Sequence, residues 1–194
     1  MFPFPPILTP RLRLRAFQQE DANDLYEYLS DPGVYRFEPG EPLSPQEARK
    51  TALAMSMEAS FWAIELLRSA PQGNPKRDKV IGQLSFSQIS SLEKNTWELG
   101  YILSPFYQRQ GYAHEAAAAL LDFGFREWKI YRVVAHCNPE NSASWKLLEK
   151  LGFRREAHHI RDNFFNRDAN GNPLWIDTLT YAILASEWKS KAMF

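Results

Sequence analysis

Residues 97–128, WELGYILSPFYQRQGYAHEAAAALLDFGFREW, change periodicity once, and that change limits the folds open to the chain. Before the corner the residues alternate as in a strand, with Trp97, Leu99 and Tyr101 on one face and Glu98, Gly100 and Ile102 on the other. After Gly111 the alanine-rich run reads as a helix. Between them stand Gln108, Arg109, Gln110 and Gly111, with Ala113 at the helix entrance, where a bare structural corner would be content with an aspartate or serine cap. Backbone N–H groups and the helix dipole make such an entrance an anion site. A glycine there leaves no Cβ where a phosphate must approach the backbone, and the side chains of Gln108, Arg109 and Gln110 can add donors.

The rest of the chain fits a sheet flanked by helices. RLRLRAF alternates from Arg11, which predicts a strand burying Leu12, Leu14 and Ala16, and EDANDLYEYLSD reads as a short amphipathic helix ending near Pro32. In SPQEARKTALAMSME, Ser44 and Glu47 form a capping box with Pro45 at the first helical position. SFWAIELL and KVIGQLSFSQI read as strands joined by an exposed hairpin loop, RSAPQGNPKRD. IYRVVAHCN is a further strand and ENSASWKLLEKL a helix stopped by Gly152. GFRREAHHIRDNFF and LWIDTLTYAILA, turning at RDANGNP, make a last antiparallel pair. With no repeat and no linker, the expectation is a single domain over residues 1–194, its core about 9–188, built on one mixed sheet.

Several function classes fall away. Zero formal net charge gives no broad basic field for nucleic acid, and no apolar run approaches the ~20 residues that span a bilayer. The proline-broken start, MFPFPPILTPRLRLR, does not read as a signal peptide. Cys137, the only cysteine, rules out an internal disulfide or a cysteine-built zinc site and reads as a small buried hydrophobe. A cytoplasmic α/β protein is expected, without membrane or nucleic-acid partners. Neither G-x-x-x-x-G-K-[ST] nor G-x-G-x-x-G occurs, which sets aside the two common nucleotide loops. His158 and His159 would point to opposite faces of a strand, so no metal is expected there, and His136–Cys137 has the wrong geometry for a nucleophile–base dyad. Arg154 and Arg155 read as a solvated edge.

A second constellation joins the glycine corner. VVAHCN runs into PENSASWKLLEKLGF, giving N-x-x-S at Asn141 and Ser144 and an L-G-F helix end. Q-x-x-G-x-A after one strand, with N-x-x-S…LGF one strand–helix unit later, resembles the Gcn5-related N-acetyltransferases (GNAT), and within them the RimJ/RimL branch. The resemblance runs from LTPRLRLRAF to DTLTYAILASEW. It implies an α/β (α+β) fold whose mixed, mostly antiparallel sheet carries a splayed strand pair at an acetyl-CoA site. The cosubstrate's pyrophosphate would then sit on Gln108, Arg109, Gln110, Gly111, Tyr112 and Ala113. Its pantetheine arm would bond the backbone near Ile102 and Leu103, with Asn141 and Ser144 beside it.

The implied reaction is direct attack of an amine on the thioester, with no metal. A carboxylate among the apolar residues of WELGYIL must be exposed, paired or functional; the resemblance makes Glu98 the candidate base, acting directly or through water. The family's usual acid, a tyrosine four residues before the LGF glycine, is Leu148 here, and Ser144 is the substitute, as a stabiliser of the leaving thiolate. Phe37 and Glu38, in YRFEPGEP, fall where the family shapes its acceptor site, and Trp175 and Asp177 are further candidates for that pocket, with core packing and a surface carboxylate as their alternatives. The expected acceptor is a primary amine, a protein N-terminal α-amine ahead of a small molecule, and the chain a monomer or homodimer. The absent tyrosine keeps an alternative open: a non-catalytic acyl-CoA-binding or sensing module on the same fold.

Overall fold

A computed structural model of the chain describes residues 4–67 and 78–189. Nearly all of the connector expected as a hairpin loop lies outside them. Strands β1 (Ile7–Leu8), β2 (Leu12–Arg15), β3 (Phe61–Leu66), β4 (Lys79–Gln88), β5 (Thr96–Leu103), β6 (Arg132–Cys137), β7 (Arg154–Arg167) and β8 (Pro173–Leu184) form one sheet in the order β1-β2-β3-β4-β5-β6-β8-β7. Helices α1 (Ala22–Leu29) and α2 (Pro45–Met57) cover one face, and α3 (Tyr112–Glu127) and α4 (Ser142–Leu151) the other.

Local chemistry explains most boundaries. Ser44 and Glu47 close the expected capping box on α2. In β2, Leu12 and Leu14 are fully buried, while Arg13 and Arg15 pair with Glu65 on β3. The strand stops at Arg15, whose guanidinium also takes Asp21 at 2.8 Å. That turn moves the next core place from Ala16, expected there, to Phe17. The alternation of β5 is as expected: Trp97, Leu99 and Tyr101 pack with the α3–α4 cluster, and Ile102 with the α1–α2 cluster.

One departure from regular pairing positions everything that follows. All neighbouring strands are antiparallel except β5 and β6, which pair only from Thr96–Arg132 to Glu98–Val134. Beyond Glu98, β5 stays with β4 as far as Leu103, while β6 stays with β8 as far as Cys137. A V-shaped gap opens between them. Aromatic packing holds its closed end, with Trp97 4.8 Å from Trp128 and 5.0 Å from Phe86 between ring centroids. On the open stretch, Gly100 lies against β4, where a Cβ would stand 2.4 Å from Ser85 Oγ.

Candidate active site

The mouth of the V ends in the glycine corner. A short 3-10 turn, Pro105–Tyr107, leads from β5 into the loop, and Gly111 caps α3 with φ +84°. Arg109 also has positive φ, +60°, while Gln110 between them does not. Backbone of alternating hand turns successive N–H groups toward one concavity, which suits an anion. Gly111 meets the steric requirement: a Cβ there would lie 3.3 Å from Arg11 Nη2, in a conformation that side-chain-bearing residues avoid.

The loop's side chains stand differently from their expected roles as overhead donors. Gln108 Nε2 donates to Leu103 O at 3.1 Å and Gln110 Nε2 to Phe106 O at 3.2 Å, so both amides brace the loop itself. Tyr112 is fully buried and can offer a ligand only its backbone. Arg109 is exposed above the corner. The buttress is Arg11, which sequence reasoning treated only as a strand residue. Its Nη1 donates to Gln110 O at 3.0 Å, its Nε pairs with Glu115 at 2.7 Å, and its guanidinium lies 4.3 Å over the Tyr112 ring. No signal along the chain could have shown this contact, because it joins residues about a hundred positions apart.

Two adjoining cavities occupy the gap. The inner one, about 310 Å³, lies between Gln83 and Ser85 on β4, Glu98 to Ile102 on β5, Ala135 and His136 on β6, and Ser144 on α4, with Phe61 and Glu38 closing it. The outer one, about 230 Å³, is bounded by Phe37, Cys137, Asn138, Asn141, Asn163, Phe165 and Ile176 to Thr178. Glu38, Glu98, His136 and Ser144 line both. The structure thus brings Phe37, Glu38, Glu98, Ile102, Asn141 and Ser144 together. It leaves out Trp175, which is 52% exposed with its ring 5.3 Å from Phe164, while Asp177, the other candidate on that strand, lines the outer cavity with Ile176.

Ser144 is the best-connected group of the site. Asn141 Oδ1 accepts from Ser144 N–H at 3.1 Å, capping α4, and leaves the Asn141 amide N–H groups available. Ser144 Oγ lies 2.9 Å from the Tyr101 hydroxyl. Tyr101 was not among the expected site residues, because its strand face reads as apolar. Burial raises the pKa of its hydroxyl, so it stays protonated. Burial also pushes the Cys137 thiol up to about 11, against the effect of a hydrogen bond with Ser144, which keeps it a neutral wall residue. Leu148 is wholly buried, does not line either cavity and carries no group that could protonate a thiolate.

Among the charged groups, Glu38 is pushed up to about 7 by burial. His136 Nδ1 and His159 Nε2 both reach Thr180 Oγ1, at 3.2 and 3.1 Å, while His158 pairs with Asp177 at 2.8 Å. The adjacent histidines thus take separate partners. Among the described residues no cluster suits a metal ion, and no helix is long and apolar enough to cross a membrane.

A parallel strand pair that parts beside a glycine-cornered helix leaves an anion-accepting corner at the mouth of a cleft that holds two carboxylates and a serine. The chain belongs to the GNAT family: residues 11–154 match the family profile described as an acetyltransferase (GNAT) domain. It is 33% identical over 182 residues to the Bacillus subtilis protein named uncharacterized N-acetyltransferase YnaD, covering 94% of this chain and 98% of that one. The crystal structure of a GNAT-family acetyltransferase from Bacillus anthracis superposes with a TM-score of 0.79 at 31% identity, over 94% of this chain and all of that one. The Escherichia coli ribosomal protein uS5-alanine N-acetyltransferase is 27% identical over 115 residues, 59% of this chain and 56% of its own length. The chain is an N-acetyltransferase, and its family draws the acetyl group from acetyl-CoA.

Proposed function

We propose that the protein moves the acetyl group of acetyl-CoA to a primary amine, a protein N-terminal α-amine ahead of a small-molecule amine, by direct attack. The observation that carries this reading is the parting of β5 from β6 after Glu98, which leads straight into the Gln108–Ala113 corner. The corner's backbone holds the pyrophosphate, buttressed by Arg11. The pantetheine arm runs along the freed edge of β5 near Ile102 and Leu103, and the spare N–H groups of Asn141 meet it from across the gap.

The thioester then lies in the inner cavity beside Ser144, whose hydroxyl steadies the sulfur as it leaves. A free thiol has a pKa near ~8.5, so the thiolate is a tolerable leaving group and needs stabilisation more than full protonation. The site therefore works without the tyrosine that Leu148 replaces. Glu98 and Glu38 face the acceptor end, where an ammonium must be received and its proton removed.

The acceptor preference rests on protonation. An α-amine of pKa ~8 is roughly a tenth neutral at pH 7, whereas a lysine amine of pKa ~10.4 is far below a hundredth. The Escherichia coli relatives named ribosomal protein uS5-alanine N-acetyltransferase and ribosomal-protein-serine acetyltransferase support the same choice, the RimJ/RimL kind of acceptor. The second reading, a small cationic amine, is favoured by the outer cavity, whose walls hold Glu38, Glu98 and Asp177 but no lysine or arginine.

Thiol release from acetyl-CoA across a panel of amines tests both. The panel holds alanine- and serine-terminated peptides, a lysine peptide blocked at its α-amine, a polyamine and an aminoglycoside. Release confined to the peptides, with acetylated product by mass, supports the first reading; release confined to the small amines supports the second. Acetyl-CoA binding without release for any acceptor would turn the reading toward a sensor.

A further inference from the structure

We propose that Glu38, on the loop between α1 and α2, is the catalytic base that takes the acceptor's proton, while Glu98, at the closed end of the V, helps to hold the ammonium in place. The inference rests on the reading of the two cavities as the acceptor site.

Three observations carry it. Glu38 stands where the cavities meet and lines both of them, as Glu98, His136 and Ser144 do, but it reaches them from the loop and not from the sheet. Among the described residues its carboxylate has no hydrogen-bond or ion-pair partner, unlike the buried acids Asp21 and Glu65, which are tied to arginines. It also shares the inner cavity with the bonded pair Tyr101 and Ser144, beside which the thioester sulfur belongs. Glu98, by contrast, is the last residue of β5 to pair with β6, at the closed end of the V. Half-buried apolar neighbours around Glu38, Phe37 and Phe61 included, supply the dry surroundings that a base requires.

The titratable groups around Glu38 are Glu98 and Tyr101 from β5, His136 and Cys137 from β6, and Asp177 from β8. None of these neighbours contributes to the shift of the Glu38 carboxyl, whose cause is burial. Burial has already brought it to about 7. A base near 7 exchanges a proton with an α-ammonium near ~8 almost without loss, the matched condition for general base catalysis.

The step balances. Glu38 carboxylate takes one proton from the ammonium, and the freed lone pair forms the C–N bond. The C–S bond breaks with its electron pair going to sulfur. The remaining surplus proton on nitrogen passes to the thiolate, giving amide and free thiol, and Glu38 returns its proton to water through the outer cavity.

The test is the pH profile of kcat/KM for two acceptors of different amine pKa, so that the enzyme's limb is separated from the substrate's. In the native protein a limb inflecting near 7 is expected for both acceptors. Glu38→Gln should remove that limb and lower kcat about 10²- to 10⁴-fold, with acetyl-CoA affinity by calorimetry unchanged. Glu98→Gln should keep the limb and raise KM for the amine. A limb that survives in Glu38→Gln, or one abolished by His136→Gln alone, overturns the assignment. Titration of the carboxyl carbon of Glu38 by NMR reads the same group without turnover. An inflection near 7 that disappears in Glu38→Gln supports the proposal, and one below 5 sinks it even if no acceptor is found.

Discussion

The hydroxyl of Tyr101, on β5, lies 2.9 Å from the hydroxyl of Ser144, on α4, so the two elements that bound the cleft are joined beside the place a leaving sulfur would occupy. The single phenolic proton of Tyr101 has two acceptors on Ser144, the backbone carbonyl at 3.1 Å and the hydroxyl at 2.9 Å, and when it goes to the hydroxyl the serine's own proton is left to turn into the cavity. A hydrogen bond to a charged group contributes ~1.5–3 kcal/mol. Ser144→Ala should therefore lower kcat about ten- to a hundredfold, and Tyr101→Phe should lower it less, because the serine remains but is no longer oriented. KM for acetyl-CoA should hardly change in either variant. Steady-state kinetics on the two single variants and the double variant check this. Strictly additive losses would show that the two hydroxyls do not act together.

The glycine corner makes a separate prediction about the donor. Gly111→Asp places a carboxylate and a Cβ at a backbone position of φ +84°, directly against the expected diphosphate. Acetyl-CoA binding by calorimetry should be lost. Arg11→Ala removes the guanidinium that bonds Gln110 O and pairs with Glu115, leaving Glu115 as a net negative charge under the corner. Its affinity for acetyl-CoA should fall at least tenfold, which corresponds to ~1.4 kcal/mol. Full affinity in Arg11→Ala would show that the loop holds its shape alone.

The parts of this fold legible in the sequence are those governed by neighbours in the chain. The capping box at Ser44 and Glu47, the stop at Gly152 and the alternation of Trp97, Leu99 and Tyr101 against Glu98 and Ile102 all depend on spacings of a few residues. The splay of β5 from β6 came from a resemblance, not from periodicity, because a strand that loses its partner keeps its own alternation. Long-range contacts were out of reach. Ala16 lost its core place to Phe17 because Asp21 captures Arg15 and ends the strand. Trp175 has the composition of a pocket residue, but its strand turns it outward against Phe164. The burial of Glu38 depends on residues of β5 and β6 that stand beyond the reach of local pattern, Glu98 and His136 among them.

Burial of Glu38 predicts a trade between stability and activity that needs no acceptor to observe. Its folded pKa, about 7, lies above the unfolded carboxylate value of 4.5. Below pH 4.5 both states are protonated and the group costs nothing; between 4.5 and about 7 the unfolded chain ionises while the half-buried carboxyl resists, so stability falls, and it levels off above 7 once the folded state has ionised too. Glu38→Gln removes that cost. It should stabilise the fold by about 1–3 kcal/mol at pH 8 and by nearly nothing at pH 4.5, a rise in Tm of a few degrees at the higher pH only. Thermal melts of both proteins at the two pH values check it. An equal shift at both would mean the gain comes from packing and not from ionisation.

Asn141 carries two roles that substitution can separate. Its Oδ1 caps α4 through Ser144 N–H at 3.1 Å, and its Nδ2 hydrogens are the expected donors to the pantetheine arm. Asn141→Ala loses both: it should cost about 0.5–2 kcal/mol of stability and weaken acetyl-CoA binding. Asn141→Ser restores an N-cap oxygen but not the amide donor. Its melting temperature should return to within about a degree of the native value, since serine and asparagine cap nearly equally well, while its acetyl-CoA affinity stays as weak as that of the alanine variant. Recovery of both together would assign Asn141 to the helix alone, and the arm would have to find its donors on the backbone of β5.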